Sequence, residues 1–219
     1  MTYLELVNSV LRRLRESEVD TVQGVGNTNS YPRLIGDFIN EAKSQVESTW
    51  DWTALRGTLT LTTTPNVFNY ELNGAQNSAK VLDVWNDTSN FELQYQTSRW
   101  FNETFLMSDP EVGSPTNYNF NGISTDRDLQ VDIYPIPDGV YDLRFNFTLR
   151  NLPLEADADT TVLPTRPIIL LATAMAIEER GEDGGQQSMN AYAAAQSALA
   201  DEIAFDAARH PEDTIWYSV

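Results

Sequence analysis

The stretch "LQVDIYPIPDGVYDLRFNF", Leu129 to Phe147, decides how the middle of the chain is read. Its odd positions are apolar (Leu129, Val131, Ile133, then Tyr141, Leu143, Phe145, Phe147) and its even ones mostly polar (Gln130, Asp132, Asp142, Arg144, Asn146). That period of two belongs to strands buried on one face. Two such runs around Asp138-Gly139 predict a β-hairpin. Its turn carries Pro135 and Pro137 on either side of Ile136. Neither proline has an amide hydrogen, so the hairpin end resists further pairing and is expected to present Tyr134 and Ile136 as a stiff projection.

Outward from this hairpin, "TLTLTTT", "VFNYEL", "AKVLDVWN" and "FELQY" read as further strands separated by polar turns. Within them, "TSRWFNETFLM" (97–107) places Trp100, Phe101, Phe105 and Leu106 at helical spacing, predicting a short helix packed on the sheet. Both flanks change period. Thr2 and Glu5 form a capping box before Leu4, Val7, Leu11 and Leu14, a first amphipathic helix to about Glu18. A second helix from near Ser30 presents Leu34, Ile35, Phe38, Ile39, Ala42, Val46 and Trp50, ending at "WDW". After the strands, "EADADTTVLPTRP" crosses over to "IILLATAMAIEER", apolar on nearly every side and so predicted to be a buried helix ended by Gly181, Gly184 and Gly185. An alanine-rich helix from about Gln187 to Arg209 closes the series.

Isolated helices of this length are marginal in water, so the outer pairs are expected to pack on each other. The predicted fold is α+β: a four-helix bundle from 1–55 and 160–210, an inserted antiparallel β-sheet or sandwich over 56–159, and a C-terminal interaction tail, 211–219. In that tail, "HPEDTIWYSV", Pro211 stops the helix and Ile215, Trp216 and Tyr217 need burial, either on the chain's own sheet or in a neighbour.

The chemistry legible here is mostly exclusion. The absence of cysteine rules out disulfides, thiolate zinc sites and cysteine nucleophiles. The one histidine, His210, sits at a helix C-terminus where its cation suits the helix dipole. Glu178 and Glu179, or Asp157 and Asp159, could be nominated as paired carboxylates, but in so acidic a chain their abundance removes specificity. Asp157-x-Asp159 lacks the glycine and downstream glutamate of a calcium loop, and Gly24-x-Gly26 lacks the strand and third glycine of a dinucleotide loop. A formal charge of -18 repels phosphate and argues against nucleic-acid grip. The N-terminus predicts no signal peptide, and no run approaches a membrane span.

The order of these pieces resembles the head-to-tail connector, or adaptor, proteins of tailed bacteriophages, including those called tail tubular protein A. The matching stretches are "YLELVNSVLRRL", the second helix ending in "WDW", "VFNYELN", "RWF", "LQVDIYPIPDGVYDLRF", "DADTTVLPTRPIILLATAMA" and the alanine-rich last helix. The resemblance implies a non-enzymatic virion protein without cofactor or metal, assembled in the host cytoplasm. It implies a homo-oligomeric ring, usually of twelve copies, with the portal protein above, a tail component below, and DNA passing through the lumen unheld. Portal or neighbour binding then falls to Ile215, Trp216 and Tyr217, and a contact to the tail or next subunit to Tyr134, Pro135, Ile136 and Pro137. Two other functions remain open from sequence: a virion-associated peptidoglycan hydrolase of muramidase type, and a carbohydrate- or receptor-binding β module.

Overall fold

The computed structural model describes residues 1–22, 31–75, 78–107, 109–181 and 185–209. The fold is α+β. Its helices are α1 (Tyr3–Arg13), α2 (Tyr31–Thr49), α3 (Ser98–Met107), α4 (Thr165–Arg180) and α5 (Gln186–Ala207). Its strands are β1 (Arg56–Thr62), β2 (Asn69–Leu72), β3 (Lys80–Asn86), β4 (Phe91–Glu92), β5 (Gln94–Tyr95), β6 (Asn117–Ile123), β7 (Leu129–Tyr134) and β8 (Asp142–Thr148). The chain divides into a discontinuous unit, Met1–Ala54 with Asn151–Val219, and a continuous one, Leu55–Arg150.

In the discontinuous unit α4 packs against α1, α2 and α5, and α1 against α2. Its all-round apolar sequence is explained by that position: Ile168, Ile169, Leu171, Ala172, Ala174, Met175 and Ala176 are all buried. The Thr2 capping box forms, with Glu5 N–H donating to Thr2 Oγ1 and Thr2 N–H to Glu5 Oε2. The first helix ends at Arg13, earlier than its periodicity suggests. Arg15 turns into the left-handed region at φ 60°, Glu16 N–H returns to Leu11 O at 2.9 Å and Arg15 N–H to Arg12 O at 3.1 Å. These two bonds are the Schellman closure, here built without glycine. Gly181, at φ 61°, ends α4 as its position predicts.

In the continuous unit two four-stranded sheets, ordered β1-β8-β3-β4 and β2-β7-β6-β5, share one apolar core. Val84, Leu143, Phe145 and Phe147 enter it from the first sheet and Leu72, Tyr118, Val131 and Ile133 from the second. Two expectations are corrected. "FELQY" is not one strand: Leu93 is buried between β4 in one sheet and β5 in the other, and β5 runs parallel to β6, so the second sheet is mixed.

More importantly, β7 and β8 do not form a hairpin; they lie in different sheets. Side-chain alternation specifies which face is buried, not which strand is the neighbour, and β7 and β8 point their odd residues into the same core from opposite sides. The backbone around the prolines makes the separation. Between the two donorless prolines, Ile136 N–H donates to Glu111 O at 2.9 Å and Ile136 O accepts from Gly113 N–H at 2.8 Å, so Ile136 pairs with the 111–113 segment. Pro137 O accepts from Asn66 N–H, and by Tyr141 the chain bonds to Thr63, beyond β1, in the other sheet. Residues 135–141 are thus an arch between sheets.

Candidate interaction site

The arch is the first surface that the sequence singled out. Tyr134 is only 8% exposed: its ring stands edge-on to Trp100, Phe101 and Phe105 of α3 at centroid separations of 5.4, 6.5 and 5.7 Å. Phe68 joins this cluster through Phe105 at 4.9 Å. The projection expected of Tyr134 is therefore absent, because α3 covers the even-numbered face of β7 and makes it a second buried face. Polar groups on that face pair among themselves, Asn69 Nδ2 donating to Asp132 Oδ1 at 2.7 Å and Asn119 Nδ2 to Ser98 Oγ at 3.1 Å. Pro137 is buried, Pro135 and Ile136 are half-buried, and the Tyr134–Pro135 bond is cis. What the arch exposes is Asp138 and Val140, the latter at 63%.

The second surface, Ile215, Trp216 and Tyr217, lies outside the described residues, as does His210. The end of α5 that leads to it is firmly held. Asp206 Oδ2 accepts from Trp50 Nε1 at 3.1 Å and Thr53 N–H at 3.0 Å. Burial opposes ionisation of this carboxyl, but the bonds from Thr53 and Trp50 together with the Arg209 charge outweigh it and hold its pKa below the ordinary value. The pairing was not legible in sequence, where Trp50 reads as part of the apolar stripe. Trp52 is the buried member of "WDW", its Nε1 donating to Val46 O at 2.8 Å.

Sequence reasoning also missed a buried polar clamp on α2. The Lys43 and Glu47 side chains are each 3% exposed and pair at 2.9 Å. The remaining protons of the Lys43 ammonium go to Asn151 O and Leu152 O, both at 3.0 Å, while Asn151 N–H reaches Glu47 Oε1 at 3.3 Å. One turn earlier, Asn40 grips Leu154 through both N–H and C=O. The clamp thus satisfies the backbone of the segment that re-enters the helical unit. A lysine four residues before a glutamate reads as a solvent pair. Its burial is encoded only in phase, since Gly36, Asn40, Lys43 and Glu47 recur at helical spacing beside Ile39 and Val46.

Three of the four nominated carboxylates have structural partners. Asp157 Oδ1 accepts from Val22 N–H, and Asp159 Oδ2 from the N–H groups of Glu155 and Ala156, which lower its pKa. Glu178 accepts from the Tyr192 hydroxyl at 2.6 Å, and burial together with that bond pushes the phenol up to about 12. Among the described residues no group of acidic or histidine side chains could hold a metal ion, and no helix is long and apolar enough to cross a membrane.

One concavity in the helical unit has interaction chemistry. A small, solvent-open cleft lies between α2, α4 and α5, lined by Val46, Thr49, Pro167, Leu171, Ala195 and Leu199 together with Gln45 and Gln196. Beside it α5 buries few residues, and Met189 and Phe205 stand exposed on it.

The chain therefore presents apolar contact surfaces on a folded scaffold, and Asp157, Asp159 and Glu178 serve that scaffold. A search among curated proteins found no match. A family model described as SU10 adaptor protein matches residues 1–215, nearly the whole chain. The chain belongs to the SU10 adaptor protein family, a family of structural adaptors of phage particles.

Proposed function

We propose that this adaptor is a head-to-tail connector of the tail tubular protein A kind: a ring of twelve copies that joins the portal to the tail and leaves a channel for DNA. The observation that carries the reading is the family match over residues 1–215. The order of elements supports it, with helices before and after one continuous β unit, as does the packing of α4 on its three helical neighbours. In this reading the four long helices form a bundle carrying the β unit as an insert. Ile215, Trp216 and Tyr217 engage the portal or a neighbouring subunit. The arch, with Pro135, Ile136 and Pro137 at its base beside Tyr134, meets the next subunit or the tail component.

The charge of -18 fits a conduit for DNA. Carboxylates on a channel wall repel phosphate, so DNA slides; a basic wall would bind it through counterion release and act as a brake. Asp157, Asp159 and Glu178 are engaged in holding the scaffold, which does not favour a role for them in glycan cleavage.

The test is the mass of the assembly, measured by light scattering for the chain alone and mixed with a purified portal ring. A twelve-fold mass in the mixture is expected. A strict monomer in both samples would remove the connector reading, and a cleared zone on a cell-wall zymogram would replace it with the hydrolase one.

A further inference from the structure

The chain holds two Asn-Gly dipeptides, Asn73-Gly74 and Asn121-Gly122, and all four residues are exposed. Their local chemistry is the same. Glycine has no side chain to shield its backbone nitrogen from the amide carbon of the asparagine before it. The fold makes the two pairs unequal.

Asn73 and Gly74 are the central residues of a tight turn at the end of β2, closed by Ala75 N–H donating to Leu72 O at 2.9 Å. Gly74 stands at φ 91° and Asn73 at negative φ, the arrangement of a type II turn. The bond that closes the turn does not engage Gly74 N–H, and a Cβ on Gly74 would meet nothing within 4 Å. The peptide joining Asn73 to Gly74 can therefore turn over, from type II to type I, without displacing a neighbour. One sense of that rotation carries the Gly74 nitrogen past the Asn73 side chain.

Asn121 and Gly122 instead lie inside β6, where its register with β7 shifts between Phe120 and Gly122. Ser124 N–H donates to Asp128 O at 2.8 Å, which sets the phase of this end of the ladder. Two residues earlier, Gly122 and Gln130 are the next pair to exchange bonds, so the Gly122 nitrogen is tied to the neighbouring strand.

We propose that Asn73 is a site of spontaneous backbone rearrangement and that the sheet protects Asn121 from the same reaction. The Gly74 nitrogen attacks Asn73 Cγ and forms a bond to it. The bond from Cγ to the side-chain nitrogen breaks, and ammonia leaves with the proton of Gly74 N–H, closing a succinimide. Water then opens the ring at either carbonyl. Opening at Cγ leaves aspartate at position 73; opening at the main-chain carbonyl leaves isoaspartate, whose backbone runs through Cβ and Cγ. The added backbone carbon falls between Leu72 and Ala75, which are 1% and 2% exposed and are joined by the bond that closes the turn. β2 is a four-residue strand at the edge of its sheet, so it is the element that frays.

The wild-type chain is incubated in mildly alkaline buffer, digested with trypsin and read by fragmentation mass spectrometry against an unincubated control. Asn73 falls in peptide 57–80 and Asn121 in peptide 100–127. In the folded chain Asn73 should convert at least about tenfold faster than Asn121, and in concentrated urea the two rates should converge, because local opening is what separates them. Equal rates in the folded chain, a faster Asn121, or a difference that survives in urea would each overturn the proposal. In hydrogen exchange, chain enriched in isoaspartate should lose protection at Tyr70, Glu71 and Leu72 while α4 keeps its own, and Asn73→Ala, which cannot close the ring, should show no loss after the same incubation. Protection of β2 that is unchanged in the isoaspartate form would overturn the fraying.

Discussion

Replacing Lys43 by methionine leaves the volume of the side chain nearly unchanged and removes the only cation in the buried clamp on α2. Asn151 O and Leu152 O, each 3.0 Å from the ammonium, then lose that donor, and Glu47 Oε1, 2.9 Å from it, keeps only the N–H of Asn151. Were this pair on the surface, its loss would cost about 0–1 kcal/mol. Both side chains are 3% exposed, so the relevant comparison is a buried charge left without its partner, which costs about 3–5 kcal/mol. For a chain of this size that corresponds to a fall in Tm of about 6–20 °C. Glu47→Gln should cost less, since its amide still meets Lys43 and Asn151. The double variant Lys43→Met, Glu47→Leu should cost less than the sum of its single changes, because no buried charge remains. Urea unfolding followed by circular dichroism at 222 nm measures all of these. A loss below about 1 kcal/mol for Lys43→Met would show that the pair behaves as a surface contact and refute the clamp.

Gly36→Ala should destabilise by about 1–3 kcal/mol despite the higher helix propensity of alanine, because its Cβ would lie 2.1 Å from the Tyr3 hydroxyl; Tyr3→Phe in the same chain should recover part of the loss in thermal unfolding. Asp206→Asn should lower stability at neutral pH. Folding depresses this carboxyl, so its contribution is full above the unfolded value of about 3.9 and is lost as pH falls through the folded one; the stability gap between variant and parent should close in that acid range. Val140→Asp, at the exposed tip of the arch, should change stability by no more than about 0.5 kcal/mol while abolishing ring formation in light scattering; intact rings would remove the arch from the interface.

The elements themselves were largely legible: the capping box at Thr2, the helix over "SRWFNETFLM", the buried run after Pro167 and the glycine stop at Gly181 all form where local chemistry places them. The partnership of strands was not. Alternation in Leu129–Phe147 fixes an inward face, and two strands of a sandwich share that property whether they are neighbours or stand opposite. Only Pro135 and Pro137 hinted at the difference, by withholding the donors that continued pairing needs. The clamp on α2 escaped for another reason. Lys43 and Glu47 follow the spacing of a solvent-exposed pair, and their burial depends on a chain segment that returns more than a hundred residues later.

That return has a consequence for synthesis. The unit Leu55–Arg150 is continuous, so all of its strands are available once Arg150 has left the ribosome. The helical unit is split around it: α1 and α2 emerge first, with Ile35, Ile39 and Val46 ready to pack, yet α4 is translated only after every strand. The β unit is therefore the first part able to complete itself, and the apolar faces of α1 and α2 wait through its entire translation. Slowing translation between Arg150 and Thr165 lengthens that wait without touching a single native contact, which makes the codons of the crossover a kinetic control on the yield of folded chain.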